Sequence, residues 1–83
     1  MSDAPINIMI IDDHVVIRSG LRMLIEHDQR MRVVAQAGNR AEALERAASE
    51  HPDVIILDLM MPGMSGFEVA GSLKDNPLTA NIP

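Results

Sequence analysis

Two short apolar runs, Ile6–Ile11 (INIMII) and Val54–Leu57 (VIIL), constrain this chain more than anything else in it. Each breaks off on carboxylates: Asp12 and Asp13 after the first, Asp58 after the second. Runs of this length with almost no polar interruption suit strands buried on both faces, as in a parallel sheet. In open sheets of that kind, chemistry gathers just beyond the carboxyl ends of the strands. Each aspartate also has a plainer reading. Asp58 can be a turn residue, Asp13 the cap of the next helix, and Asp12 a residue of the turn between.

The rest of the chain alternates between two periods. From Val15, Ile17, Leu21, Leu24 and Ile25 fall at helical spacing, which predicts a helix fading near His27-Asp28, with Arg18 and Arg22 at other positions, read as solvated or as a docking face for a kinase. Met31–Ala37 is β-branched at its centre and predicts a second strand, broken by Gly38-Asn39. Asn39 with Glu42 three residues on is a helix-start pattern, in which side chains satisfy free amides. The second helix then runs to about Glu50, with Leu44, Ala47 and Ala48 inward, and stops at His51-Pro52-Asp53. After Asp58 comes an irregular loop of methionines, a proline and glycine. Ser65 and Glu68 repeat the start pattern and place a third helix from about Gly66. Val69, Ala70 and Leu73 form its stripe, and Lys74 sits in its last turn, where the dipole favours a cation. The order β-α-β-α-β-α predicts an α/β doubly wound parallel sheet with right-handed crossovers.

Composition narrows the chemistry. The chain has 83 residues, enough for one small domain, and no cysteine, so neither a disulfide scaffold nor a thiolate metal site is available. One Phe, no Tyr or Trp and seven Met imply an aliphatic core. A net charge of −5 with no basic run argues against this segment itself gripping nucleic acid. No apolar run is long enough to span a membrane, and the first residues lack the pattern of a signal peptide, so the reading is cytoplasmic.

Strands one and three are natural neighbours in such a sheet, which would set Asp12, Asp13 and Asp58 side by side. Three carboxylates that close repel one another and call for a neutralising partner. All the ligands on offer are hard oxygens, which favours Mg²⁺ or Mn²⁺ over zinc. An open Mg²⁺ beside a free carboxylate suits formation of an aspartyl phosphate. His14 follows the acidic pair and could approach the site, but is read first as a turn or cap residue. His27 and His51 lie at helix ends and are assigned no chemistry.

Taken together, IMIIDDH followed by VVIRSGLRMLIE, and then PDVIILDLMMPGMSGFEV, resembles the receiver domain of two-component response regulators. The DDH and R-S-G-L pieces resemble the subgroup with a C-terminal helix-turn-helix DNA-binding domain. The resemblance implies a flavodoxin-like fold, here the part β1-α1-β2-α2-β3-α3 with strand order 2-1-3. It implies that Asp58 accepts a phosphoryl group from a sensor histidine kinase. It further implies that Asp13 and Asp58 bind Mg²⁺ directly with the main-chain carbonyl of Met60, and that Asp12 acts through a metal-bound water. Met61-Pro62-Gly63 would shape the loop, with Gly66 starting the next helix at close quarters.

The resemblance also marks what this chain is expected to lack: the family's fourth and fifth strands and helices, with the Ser or Thr and the Lys that contact the phosphoryl group. Thr79 and Lys74 stand at the wrong places to replace them. Residues 1–83 are accordingly read as a single partial receiver domain that is not an enzyme. Strand three would then be an exposed apolar edge, a template for pairing, so a homo-oligomer joined there or by segment exchange is expected. Two other functions compete. One is a phosphorylation-independent interaction fragment that uses the exposed sheet edge to bind itself or a full-length partner; Met60, Met61 and Met64 are read first as covered packing and second as a partner surface. The other is a Mg²⁺-dependent phosphohydrolase, which would want an acid–base Asp where Met60 stands.

Overall fold

The computed structural model describes residues 4–58, 60–61 and 64–83. Strand β1 (Ile6–Ile11), helix α1 (Val15–Glu26), strand β2 (Met31–Ala37), helix α2 (Arg40–Glu50), strand β3 (Val54–Leu57) and helix α3 (Gly66–Asp75) follow in the expected order. The three strands form one parallel sheet in the order β2-β1-β3. From β1 the chain steps outward to β2, then back across β1 to β3. Right-handed crossovers therefore put α1 on one face and α2 on the other.

Alternation along β1 divides the core. Met9 and Ile11 point to the face of α2 and α3, where they are enclosed with Ala37, Ala43, Ala47, Val69 and Leu73. Ile8 and Ile10, also buried, point to the α1 face. A bulge re-phases β2: Ile8 pairs with Val33 but Met9 with Ala35, leaving Val34 as the extra residue. That shift brings Ala35 and Ala37 to the α2 side, against Met9 and Ile11.

Two expectations about helix faces are corrected. Ala43, not assigned inward, is fully buried beside Ala47, because small side chains let α2 lie close to the sheet. Ile17 and Leu24, assigned inward, are exposed, Leu24 by 75%. Only Leu21, Ile25 and Arg18 of α1 are half-buried. The apolar positions of α1 spread wider than the single strip the sheet can cover.

The helix ends follow local chemistry. Asn39 Oδ1 accepts from the Glu42 amide at 3.0 Å, as the start pattern requires, while Glu42 Oε1 reaches past the cap to accept from the Gly38 amide at 3.0 Å. His51 closes α2 in the left-handed conformation, φ 48°. Lys74 Nζ donates to the Ala80 carbonyl at 3.1 Å. Thr79 is buried and donates its hydroxyl to the Leu73 carbonyl at 2.6 Å, closing α3.

Between β3 and α3 the backbone is more regular than an open loop. Two-residue strands β4 (Met60–Met61) and β5 (Met64–Ser65) pair antiparallel. The Pro62-Gly63 part of the expected loop lies outside the described residues, as do the side chains of Ser65 and of the methionines at 60, 61 and 64. The outer edge of β3, expected to be bare, is partly taken by the chain itself: the Ile55 amide donates to the Pro83 carbonyl at 2.9 Å.

Candidate metal centre

The register of the sheet builds the site. Ile11 lies opposite both Ala37 and Leu57, so the residues just past it emerge together. The Asp12 amide donates to the Ala37 carbonyl at 3.0 Å, and the Asp58 amide to the Ile11 carbonyl at 2.9 Å. Main-chain bonds to neighbouring strands thus fix both aspartates at one end of the sheet. One ligand atom from each of Asp12, Asp13, His14 and Asp58 lies within 4.8 Å of all the others. The expected grouping of Asp12, Asp13 and Asp58 is therefore present. His14 joins it as well, the lesser of its two expected roles, while also standing at the N-cap position of α1.

The plainer reading of Asp13 as a helix cap does not hold. His14 is the N-cap of α1, and no side chain caps that end. Asp12 instead folds the turn on itself, its Oδ1 accepting from the His14 amide and from His14 Nδ1, both at 2.8 Å. Asp13 Oδ1 is shielded from solvent and has no hydrogen bond, although it stands 3.1 Å from His14 Nδ1. That contact is a charge pairing without hydrogen-bond geometry. A shielded carboxylate oxygen left in this way is what a cation would take up.

The electrostatics agree with a crowded acidic site. Burial pushes the Asp12 carboxyl up, but the His14 amide and ring, with the Arg18 charge, outweigh it and hold the group below its ordinary value. His14 is shifted upward, first by its bond to Asp12, then by the charge of Asp13, with a smaller push from Asp58. With its side chain 55% exposed, the imidazole pairs weakly with the cluster and leaves it short of positive charge.

The donor set fits a hard divalent cation. Asp12, Asp13 and Asp58 supply carboxylate oxygens, and hard oxygens with few protein ligands suit Mg²⁺. Met60, expected to offer its main-chain carbonyl, begins β4 two residues beyond Asp58.

Sequence reasoning passed over two residues beside the site. Arg18, read as solvated or kinase-facing, reaches back from α1 and donates from Nη1 to the main-chain carbonyl of Asp12. Gly38, read as a breaker, makes room for it: a Cβ there would stand 2.8 Å from that Nη1. The signal in the sequence is a long cation one turn into the helix that follows the acidic pair, at the head of the R-S-G-L piece. Arg22, by contrast, stays at the surface, its Nε donating to Glu26 Oε1 at 3.0 Å.

A doubly wound α/β domain with acidic side chains gathered past the ends of two neighbouring parallel strands defines a class, and sequence comparison supplies the family. The profile of the response regulator receiver domain matches residues 8–83, and the chain belongs to that family. It is 45% identical over 78 residues to the nitrate/nitrite response regulator protein NarP of Escherichia coli K12, covering 94% of this chain and 36% of that protein. The chain thus spans about a third of the length of the curated relatives it matches. Among solved structures, the response regulator domain of Thermotoga maritima CheB superposes with a TM-score of 0.83 at 32% identity, over 90% of this chain and 56% of that one. Response regulator TrrA of Thermotoga maritima, in complex with Mg²⁺-BeF, superposes with a TM-score of 0.73 at 36% identity, over 83% of this chain and 58% of that one. Among the described residues, no helix is long and apolar enough to cross a membrane.

Proposed function

We propose that this receiver domain takes a phosphoryl group from a phosphohistidine of a sensor kinase onto Asp58, with Mg²⁺, in the cytoplasm. The observation that carries the reading is the convergence of Asp12, Asp13 and Asp58 at one end of the sheet, with a shielded Asp13 oxygen that lacks a hydrogen bond. In the transfer, an Asp58 carboxylate oxygen forms a bond to phosphorus as the bond from phosphorus to the kinase imidazole nitrogen breaks. The imidazole leaves with the electron pair of that bond. Bound Mg²⁺ supplies neutralisation of the charge on the phosphoryl oxygens. Asp13 and Asp58 would hold it directly with the Met60 carbonyl, and Asp12 through a water. The domain is a phosphoacceptor and not an enzyme turning over a second substrate. Its output lies in a DNA-binding domain elsewhere in the protein, and this acidic segment itself touches no nucleic acid.

The test is incubation with acetyl phosphate and Mg²⁺, read by intact mass, beside Asp58→Asn. Mass gain in the unsubstituted chain alone is expected. Gain in both proteins, or in neither, removes Asp58 as acceptor.

A second reading, self-association of this chain as an interaction piece, has one observation in its favour. Val15, Val16, Ile17, Met23 and Leu24 leave much of α1 apolar and exposed. Light scattering giving the mass of a monomer at tens of micromolar would dispose of it.

A further inference from the structure

We infer that Arg18 is a positioning residue for the metal centre: its guanidinium locks the peptide between Asp12 and Asp13, and so sets where both carboxylates point. The inference rests on the Mg²⁺ reading above and adds a residue that reading does not contain.

Four observations meet at this side chain. Arg18 Nη1 donates to the Asp12 main-chain carbonyl, which belongs to the peptide joining the two aspartates. Holding that oxygen stops the peptide plane from rotating, and rotation would swing both carboxylates. The other end of the same residue is tied as well: the Asp12 amide donates to the Ala37 carbonyl at 3.0 Å. Arg18 Nε is shielded from solvent with no partner, so the guanidinium sits in a fitted place rather than in bulk water. Gly38, the residue after Ala37, leaves the space into which Nη1 fits, 2.8 Å from where a Cβ would be. Arg18 thus spans from α1 to the turn after β2, by way of the Asp12 carbonyl.

Charge alone would make a different demand. A cation this close to a divalent ion repels it, so if Arg18 served only as a counter-ion, removing its charge would tighten metal binding. Positioning makes the opposite demand, and outer residues that orient ligands are typically worth about 10–100-fold in metal affinity. Lysine keeps the charge and loses the planar fork, which separates the two effects.

The experiment measures Mn²⁺ binding by the free-ion EPR signal for the unsubstituted chain, Arg18→Lys, Arg18→Gln and Gly38→Ala, with thermal unfolding of each in the absence of metal. Positioning predicts that both Arg18 variants raise Kd about tenfold. Gly38→Ala should raise it severalfold with its melting temperature hardly moved. The backbone at Gly38 lies outside the left-handed region, and the atom its Cβ displaces is the far end of a flexible side chain. Tighter binding by Arg18→Gln with unchanged binding by Arg18→Lys would overturn the inference in favour of a counter-ion. Lowered melting temperatures with unchanged Kd for the folded variants would overturn it in favour of a merely structural role. Failure of the unsubstituted chain to bind Mn²⁺ would overturn the metal reading, and the inference with it.

Discussion

The two faces of the sheet are made from the same three strands and finished differently. On the α2 and α3 side, Met9, Ile11, Ala37, Ala43, Ala47, Val69 and Leu73 close over one another. On the α1 side, Ile8 and Ile10 are buried, yet Ile6 and Ile56 at neighbouring positions stay partly open, and α1 keeps Val16 82% exposed. Two helices share the first face, and α1 is the only described helix on the second. One helix presents a strip of side chains narrower than a three-stranded sheet. The closed face should therefore carry most of the stability, and the open face should tolerate change. The acidic site lies at the end of the strands, belonging to neither face.

The comparison breaks most readily at its largest expected effect. Met9→Ala or Leu73→Ala should cost about 2–5 kcal/mol in urea unfolding, as large-to-small changes in a packed core do. Leu24→Ala, on the exposed side of α1, should stay within about 0.5 kcal/mol. Equal costs would mean that something covers α1 in solution. Next in size is the effect of Mg²⁺. At about 100-fold over its Kd it should add about 2.7 kcal/mol, seen as a raised melting temperature. Asp13→Asn should abolish that gain while itself raising the melting temperature without metal, since it removes one of three crowded charges. Loss of stability without metal would show that Asp13 is held by partners rather than poised for an ion.

Smaller effects sharpen the contrast at the edges of the closed face. Thr79→Val removes the shorter of two hydrogen bonds to the Leu73 carbonyl and leaves the Asn76 amide at 3.4 Å, which should cost about 0.5–1.5 kcal/mol in the same unfolding assay. The smallest belongs to the α1 side. The Arg30 side chain and amide beside Asp28 hold its carboxyl down at about 2. Its folded value lies below its unfolded one, so its contribution is present above pH about 4 and is lost as the pH falls through about 2. Acid titrations of the chain and of Asp28→Asn, followed by circular dichroism, should differ near neutrality and converge at the acid end. Salt should shrink the difference, because Arg30 is almost fully exposed.

Much of the fold was legible because its strands announce themselves. Ile6–Ile11 and Val54–Leu57 are apolar without interruption or nearly so, and they end where the observed strands end. Asn39 and Glu42 marked the start of α2 by a local reaction between side chains and amides. The errors fell where local pattern carries no depth. Alanine reads as neutral, so Ala43 went unnoticed, while the leucine at position 24 reads as inward wherever its helix happens to turn. The bulge at Val34 left no mark, since Val33 and Val34 are alike and only pairing tells them apart.

The sequence by itself determined which residues make strands and helices, and that carboxylates stand at the carboxyl ends of two strands, because propensity, capping and hydrophobic period act over a few neighbouring residues. Only the tertiary structure decided that Ile11 lies between Ala37 and Leu57, that His14 turns in beside the aspartates, and that Arg18 reaches back over Gly38 to the Asp12 carbonyl. The first depends on strand register and the last on the space that Gly38, distant in sequence, leaves for a long side chain; the His14 contact spans two residues, but hydrophobic period carries no direction for a side chain in a turn.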